Sequence, residues 1–304
     1  MKHTESLTSC LHTHVRFHVY EPRVIIRIKG VVQIHHGLFE HADRYDHFAT
    51  YLSNSGYVVV VSDFVGHGKS LIDFEQGFFG MNNGSEGLVK DMFHLYEIMR
   101  ERYQEAPYYL LGVDLGALII RKFMSTYGEY IQGVLLLGSS GDTKKLALAK
   151  YQIKFLKMFK GPLHRSKLLF NYFYSKNSKK IKVLNKLEWY TSDENQRRVY
   201  LEDPMTHFVY TLKGYEDILL TLKEVNSQIS IREIPTFLSI YIGVGSDDTL
   251  AIGSYKIYEK YKEHGVRDLT FKKFDGFRHG LLFEKDKSIV YKSILNWLDE
   301  RTYI

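Results

Sequence analysis

One tight turn, the segment GVDLG at residues 112–116, most constrains how this chain can fold. An apolar run at residues 107–111 precedes it and an apolar-faced helical period at 117–127 follows, which predicts a strand-turn-helix corner. The flanking glycines let strand and helix pass close together and force the central residue, Asp114, into a strained, outward-pointing conformation. Such a corner presents one side chain. Serine is typical at this position, but here the side chain is a carboxylate.

The composition is that of an ordinary globular protein. The 304 residues can bury a full core, and 44% of them are hydrophobic against 25% charged. A single cysteine, Cys10, offers no disulfide framework and no cysteine-based metal site, and the glycines around Asp114 lack the lysine and spacing of a nucleotide-binding loop. We therefore expect no metal and no cofactor. With no signal peptide and no apolar run long enough for a membrane span, we expect a cytoplasmic protein.

Strand-like and helical patterns alternate at both ends of the chain, which predicts a mainly parallel sheet with helices on both faces. The strand-like runs lie at residues 14–20, 31–35, 57–62, 134–137 and 236–242. Between residue 141 and about residue 230 the pattern changes to helix and loop. We therefore predict a core domain from residues 1–140 and 231–304, with a helical cap, or lid, at 141–230.

Positive charge is concentrated in the predicted cap. Residues 141–186 carry 13 Lys and Arg and one acid, a net charge of +12, whereas the whole chain carries +6. No nucleic-acid-binding motif accompanies them, so we expect no nucleic-acid partner. Lysines at helical spacing run beside an apolar stripe that includes Ala149, Ile153 and Phe159. Two interpretations stay open: a lid helix with solvated lysines, or a peripheral contact with an anionic membrane surface.

Aromatic residues are frequent in the same region and suit a pocket for an acyl or other apolar chain. We expect Tyr151, Phe155 and Phe159 to contribute to substrate binding.

Two further pairs of segments follow predicted strands, where this architecture collects functional residues. They are HHGLFEH at 35–41 with DFVGHGKS at 63–70, and GSDD at 245–248 with GFRH at 276–279. Nucleophile, acid and histidine is the chain order of catalytic residues in one known fold. In this chain that order gives Asp114, Asp248 and His279.

With these segments in this order, the chain resembles α/β-hydrolases of the monoacylglycerol lipase and lysophospholipase group, related to the serine aminopeptidase domain family. The resemblance runs from about residue 14 to residue 298 and includes HGLFEHADRY at 36–45 and a cap stretch from EW at 188–189 to DP at 203–204. It implies an oxyanion hole formed by the backbone N–H groups of Leu38 and Leu115. It also implies that His279 is the base and that Asp248, rather than Asp247, orients it.

The chain departs from this family at the turn, where Val113 and Asp114 replace a histidine and the serine. A carboxylate that attacks an ester forms an adduct that reverts, because the conjugate acid of Asp has a pKa of about 3.9 against about 15.7 for water, a stand-in for an alcohol. Attack on the sp3 carbon of an epoxide or alkyl halide gives a stable ester instead, which water activated by His279 can hydrolyse. The epoxide hydrolase and dehalogenase branches resemble this scheme, with tryptophan where this chain has Leu115.

The sequence therefore predicts a hydrolase of a small apolar or lipid-like substrate, with Asp114 at the nucleophile position. The alternative is a catalytically inactive pseudohydrolase that binds a lipid or a protein partner. In either case the two carboxylates that face His279 should favour its protonated form, and alkylation of Asp114 would remove one of those charges. We expect several polar residues to hold loops rather than to catalyse: His36, Glu40, His41, Asp63 and His67.

Overall fold

The computed structural model describes residues 1–23, 27–73, 75–82, 84–139, 147–170, 187–249 and 251–302. Within them, eight strands form one sheet. The strands are β1 (Lys2–Thr8), β2 (His14–Tyr20), β3 (Gly30–His35), β4 (Tyr57–Ser62), β5 (Tyr108–Val113), β6 (Gly133–Leu137), β7 (Ser239–Gly245) and β8 (Leu269–Phe274). Their spatial order is β1-β2-β4-β3-β5-β6-β7-β8.

The sheet is antiparallel at one edge and parallel elsewhere. β1 pairs with β2 and β2 with β4 in antiparallel register, whereas the neighbours from β4 through β3 to β8 run parallel. Every residue of β3, β4, β5 and β6 is buried. Continuous burial is what a parallel strand covered on both faces requires, and it explains why these segments are apolar runs. The predicted α/β class with a mainly parallel sheet is confirmed.

Helices cover the sheet and fill the connections between its strands. They are α1 (Asp46–Asn54), α2 (Gly84–Arg102), α3 (Leu115–Tyr127), α4 (Ala147–Lys160), α5 (Glu194–Glu202), α6 (Leu212–Val225), α7 (Gln228–Arg232), α8 (Ala251–His264) and α9 (Ser288–Asp299). α1 packs against β4 and α9, while α3 packs against β5 and α2. None of the helices in the described ranges is both long and apolar enough to cross a membrane.

The connection between β6 and β7 carries α4 to α7. α6 packs against α2 and α3 and also contacts α4, and α7 packs against α3 and α8. Residues 140–146 and 171–186, which hold much of the basic charge, lie outside the described residues. The boundaries of a cap at 141–230 therefore stay a prediction. We call the connection at 138–238 the β6–β7 insertion.

Candidate active site

Asp114 occupies the strained turn between β5 and α3. Its backbone has φ 48° and ψ −103°, a region that L-residues rarely adopt. A Cβ on Gly112 would lie 2.4 Å from the N of Ala117, and one on Gly116 would lie 2.2 Å from the O of His35. The crossing of strand and helix therefore requires both glycines. The predicted strand-turn-helix corner is confirmed.

The carboxylate of Asp114 lies between the predicted oxyanion donor and the predicted base. The backbone N–H of Leu38 donates a hydrogen bond of 3.1 Å to Oδ2 of Asp114, and Nε2 of His279 lies 4.0 Å from the same oxygen. Leu115, the other predicted donor, begins α3, where the first N–H groups of a helix have no intrahelical partner. The Asp114 side chain is 29% exposed, so a molecule from outside can reach it.

His279 and Asp248 form a buried pair behind Asp114. Nδ1 of His279 lies 2.9 Å from Oδ2 of Asp248, and the two side chains are 3% and 1% exposed. Asp247 is exposed, and its carboxylate accepts a hydrogen bond from the hydroxyl of Ser246. The structure thus brings Asp114, Asp248 and His279 together and turns Asp247 away.

The charges in this group determine the protonation of His279. Burial alone would lower the pKa of His279, but the charge and hydrogen bond of Asp248, together with the charge of Asp114, raise it to about 9. Burial also raises the pKa of Asp114, although the neighbouring imidazolium and the Leu38 N–H oppose this. At neutral pH His279 is therefore an imidazolium cation, with a proton on both ring nitrogens. In this resting state it can donate a proton but cannot accept one.

Glu40 connects the loop after β3 to the β6–β7 insertion. Its carboxylate is buried and accepts hydrogen bonds from the N–H of Gly37 and from the hydroxyls of Tyr45 and Tyr190. The backbone of Tyr190 in turn accepts a hydrogen bond of 2.6 Å from the N–H of Gly280, next to the base. Sequence reasoning missed Tyr190, because no periodic pattern indicates that residue 190 meets residue 40.

The other polar residues of the segments at 35–41 and 63–70 form hydrogen bonds between loops. His36 accepts from the N–H of Phe64 at 3.0 Å, and Asp63 accepts from the N–H of Ala42 at 2.8 Å. His41 Nε2 lies 2.7 Å from a carboxylate oxygen of Asp203, and His67 Nε2 lies 3.1 Å from the backbone O of Leu38. These contacts agree with a structural role. Among the described residues, no group of His, Cys, Asp and Glu side chains could hold a metal ion.

The three aromatic residues predicted to bind substrate lie on the outer face of α4. Tyr151, Phe155 and Phe159 are 73%, 62% and 67% exposed. The buried face of α4 contains Ala149 and Ile153, so the predicted apolar stripe is right for these two and wrong for Phe159, which lies next to the helix end. All three side chains are exposed, and their role in substrate binding stays a prediction.

Comparison with known proteins agrees with this architecture. The chain is 27% identical to mouse monoglyceride lipase over 129 residues, which cover 40% of this chain and 41% of that protein. It is 25% identical to human monoglyceride lipase over 286 residues, which cover 90% of this chain and 84% of that protein. The crystal structure of a thermostable carboxyl esterase from Bacillus coagulans superimposes with a TM-score of 0.91 and 22% identity, covering 99% of both chains. At this identity the likeness concerns the fold.

The sequence also matches a known family over most of its length. Residues 26–286 match the family described as serine aminopeptidase, S33. This range includes the turn with Asp114, the loop after β3 that contains Leu38, and both Asp248 and His279. The chain belongs to the serine aminopeptidase S33 family and has the α/β-hydrolase fold.

Proposed function

We propose that this protein hydrolyses a small apolar or lipid-like molecule by using Asp114 as a nucleophile toward an sp3 carbon, for which an epoxide is the best example. The observation that carries the proposal is the placement of the Asp114 carboxylate at the strained turn, within 3.1 Å of the Leu38 N and 4.0 Å of Nε2 of His279. The monoglyceride lipase relatives support a lipid-like substrate.

In the first step, a carboxylate oxygen of Asp114 attacks a ring carbon of the epoxide, and the carbon–oxygen bond of the ring breaks. The electron pair of that bond stays on the leaving oxygen, which takes the proton from the imidazolium of His279. The products are a 2-hydroxyalkyl ester of Asp114, in which the former ring oxygen is now a hydroxyl group, and a neutral imidazole. Because its pKa is raised to about 9, His279 is protonated at neutral pH and supplies the proton for this step.

In the second step, neutral His279 takes a proton from a water molecule that attacks the ester carbonyl of Asp114. The tetrahedral intermediate carries an oxyanion that the N–H groups of Leu38 and Leu115 can stabilise. Its collapse releases the product alcohol, which receives the proton held by His279. The proton of the regenerated Asp114 acid then returns to His279, so that epoxide and water have given a diol.

A second candidate is a catalytically inactive protein that binds a lipid or a protein partner. The observation that favours it is that the Asp114 carboxylate faces protonated His279 at 4.0 Å. The two opposite charges stabilise each other without any reaction. The two candidates differ in whether Asp114 ever becomes esterified.

Substrate selectivity tests the proposal. The wild type should hydrolyse a long-chain terminal epoxide and should neither hydrolyse monoacylglycerol nor react with a fluorophosphonate, because no serine stands at the turn. Asp114→Ala should abolish epoxide turnover, measured as diol formed over time. Asp247→Ala is the matched control and should retain it, since Asp247 is exposed and faces away from His279. Fluorophosphonate labelling that depends on His279 would show that a serine is the nucleophile and would refute the proposal.

We further propose that the outer face of α4 contacts an anionic membrane surface. Four large apolar side chains are exposed there, Tyr151, Phe155, Met158 and Phe159. Lys150 and Lys154 are exposed beside them. Lys157 differs, because its ammonium lies 2.6 Å from a carboxylate oxygen of Glu216 on α6. An aromatic stripe flanked by lysines is typical of helices that lie in a membrane interface.

Vesicle binding tests this contact. Each lysine near an anionic surface contributes about 1 kcal/mol, so replacing Lys150 and Lys154 with glutamine should weaken binding to phosphatidylserine vesicles about 30-fold. Lys157→Gln is the matched control and should change binding less, because that charge is already paired. Added salt should weaken wild-type binding. Equal affinity for purely phosphatidylcholine vesicles would contradict an electrostatic contact.

A further inference from the structure

The backbone carbonyl of Leu38 receives a hydrogen bond from a distant tyrosine. Tyr210 lies in the β6–β7 insertion, between α5 and α6, and is fully buried. Its hydroxyl donates to the O of Leu38 and also contacts Nε2 of His67. Nε2 of His67 itself lies 3.1 Å from the same carbonyl oxygen. Two side chains from different parts of the fold thus meet at the carbonyl of Leu38, in the loop at residues 36–41, which we call the oxyanion loop.

This contact matters because a glycine precedes Leu38 and gives the loop backbone its freedom. Two contacts hold this glycine. The N–H of Gly37 donates to Glu40, and the O of Gly37 lies 2.9 Å from Nδ1 of His36. The backbone carbonyls of Gly37 and Leu38, which flank the Leu38 N–H, are therefore both held by side chains. With the carbonyl of Leu38 fixed by Tyr210, the N–H of Leu38 points at Asp114.

Tyr210 is itself held firmly. The backbone N–H and the hydroxyl of Thr211 both donate to the O of Gly77, at 3.2 Å and 3.0 Å. The ring of Tyr210 packs edge-on against the rings of Phe39 and Phe79, with centroids 5.5 Å and 5.9 Å away. A tyrosine held by its ring contacts and by the hydrogen bonds of the next residue can impose a position on a flexible loop.

We infer that Tyr210 is a positioning residue that fixes the Leu38 N–H as an oxyanion donor. For catalysis this inference rests on the proposed function, in which the two chemical steps make different demands. Alkylation of Asp114 creates no oxyanion on its own carbonyl, whereas hydrolysis of the resulting ester does. In the first step the Leu38 N–H holds one oxygen of a carboxylate that is losing its charge, so Tyr210 acts chiefly on the second step.

Tyr210→Phe removes the hydroxyl and keeps the buried ring. In single-turnover reactions with an epoxide, we expect the rate of ester formation on Asp114 to change little and the decay of that ester to be about 10-fold to 100-fold slower. The loss should stay below that of deleting an oxyanion donor, which costs about 10²-fold to 10³-fold, because the Leu38 N–H is still present. Tyr241→Phe is the matched control, since Tyr241 is a buried tyrosine of β7 whose hydroxyl meets Ser293. Equal slowing of both steps, or no slowing of decay, would overturn the inference.

A second readout does not depend on any reaction. In the unreacted protein, amide hydrogen exchange at Leu38, followed by NMR, should be faster in Tyr210→Phe than in the wild type and unchanged in Tyr241→Phe. An unchanged exchange rate at Leu38 in folded Tyr210→Phe would overturn the inference. If no electrophile alkylates the wild type, the proposed function fails, and the exchange measurement still decides the role of Tyr210.

Discussion

Asp114→Ser should turn this protein into an ester hydrolase. Nδ1 of His279 lies 2.9 Å from Asp248, and the N–H of Leu38 donates a hydrogen bond to residue 114. A serine at this turn would therefore have the proposed base and the proposed oxyanion donor beside it. Loss of the nucleophile from a serine hydrolase lowers kcat by about 10⁶-fold, so even an imperfectly oriented serine should raise ester hydrolysis at least about 10²-fold over the parent. The measurement is the initial rate on short and long acyl esters, including a monoacylglycerol.

Two controls accompany this variant. A fluorophosphonate should label Asp114→Ser and leave both the wild type and Asp114→Ala unlabelled. Asp114→Ser combined with His279→Gln should lose the gain. A folded Asp114→Ser protein that stays inert toward every ester and every fluorophosphonate would show that the oxyanion hole and base do not form a working site.

His279→Gln should trap an ester on Asp114. An activated alkyl halide suits this experiment, because its leaving halide needs no proton from His279. Alkylation should continue, whereas hydrolysis of the ester should slow by about 10²-fold or more, the range that a general base contributes. The adduct should therefore accumulate and appear by mass spectrometry on the peptide that contains Asp114.

Variants of Asp114 and Asp248 are the controls for this adduct experiment. Asp114→Ala should form no adduct on this peptide. Asp248→Asn should form the adduct and release it slowly, because the loss of the charge and hydrogen bond to Nδ1 of His279 loosens the orientation of the base. An adduct that appears equally in Asp114→Ala would place the reaction on another residue.

The sequence predicted the features that depend on local chemistry. The strained turn at Asp114 follows from the spacing of its glycines, and the parallel strands follow from their apolar runs. Both were confirmed. The choice of Asp248 over Asp247 came from the family resemblance, and the structure turns Asp248 toward His279.

Contacts between distant segments could not be predicted in this way. Tyr190 and Tyr210 meet the oxyanion loop across 150 and 172 positions of the chain, and no periodicity records such a meeting. The pattern of α4 likewise predicted its buried side but could not show that Lys157 pairs with Glu216 of α6. Nor could it show that Phe159 stays exposed. These features depend on how the helices pack against one another, which propensity and spacing do not determine.

The most direct test of the central claim is a single turnover of the wild-type protein with an epoxide in water labelled with oxygen-18. If water attacks the carbonyl of an Asp114 ester, the label should enter the carboxylate of Asp114. Mass spectrometry should then show one heavy oxygen on the Asp114 peptide, and the diol should contain only light oxygen. Label in the diol with none in Asp114 would mean that water attacks the substrate directly, which would contradict a covalent role for Asp114.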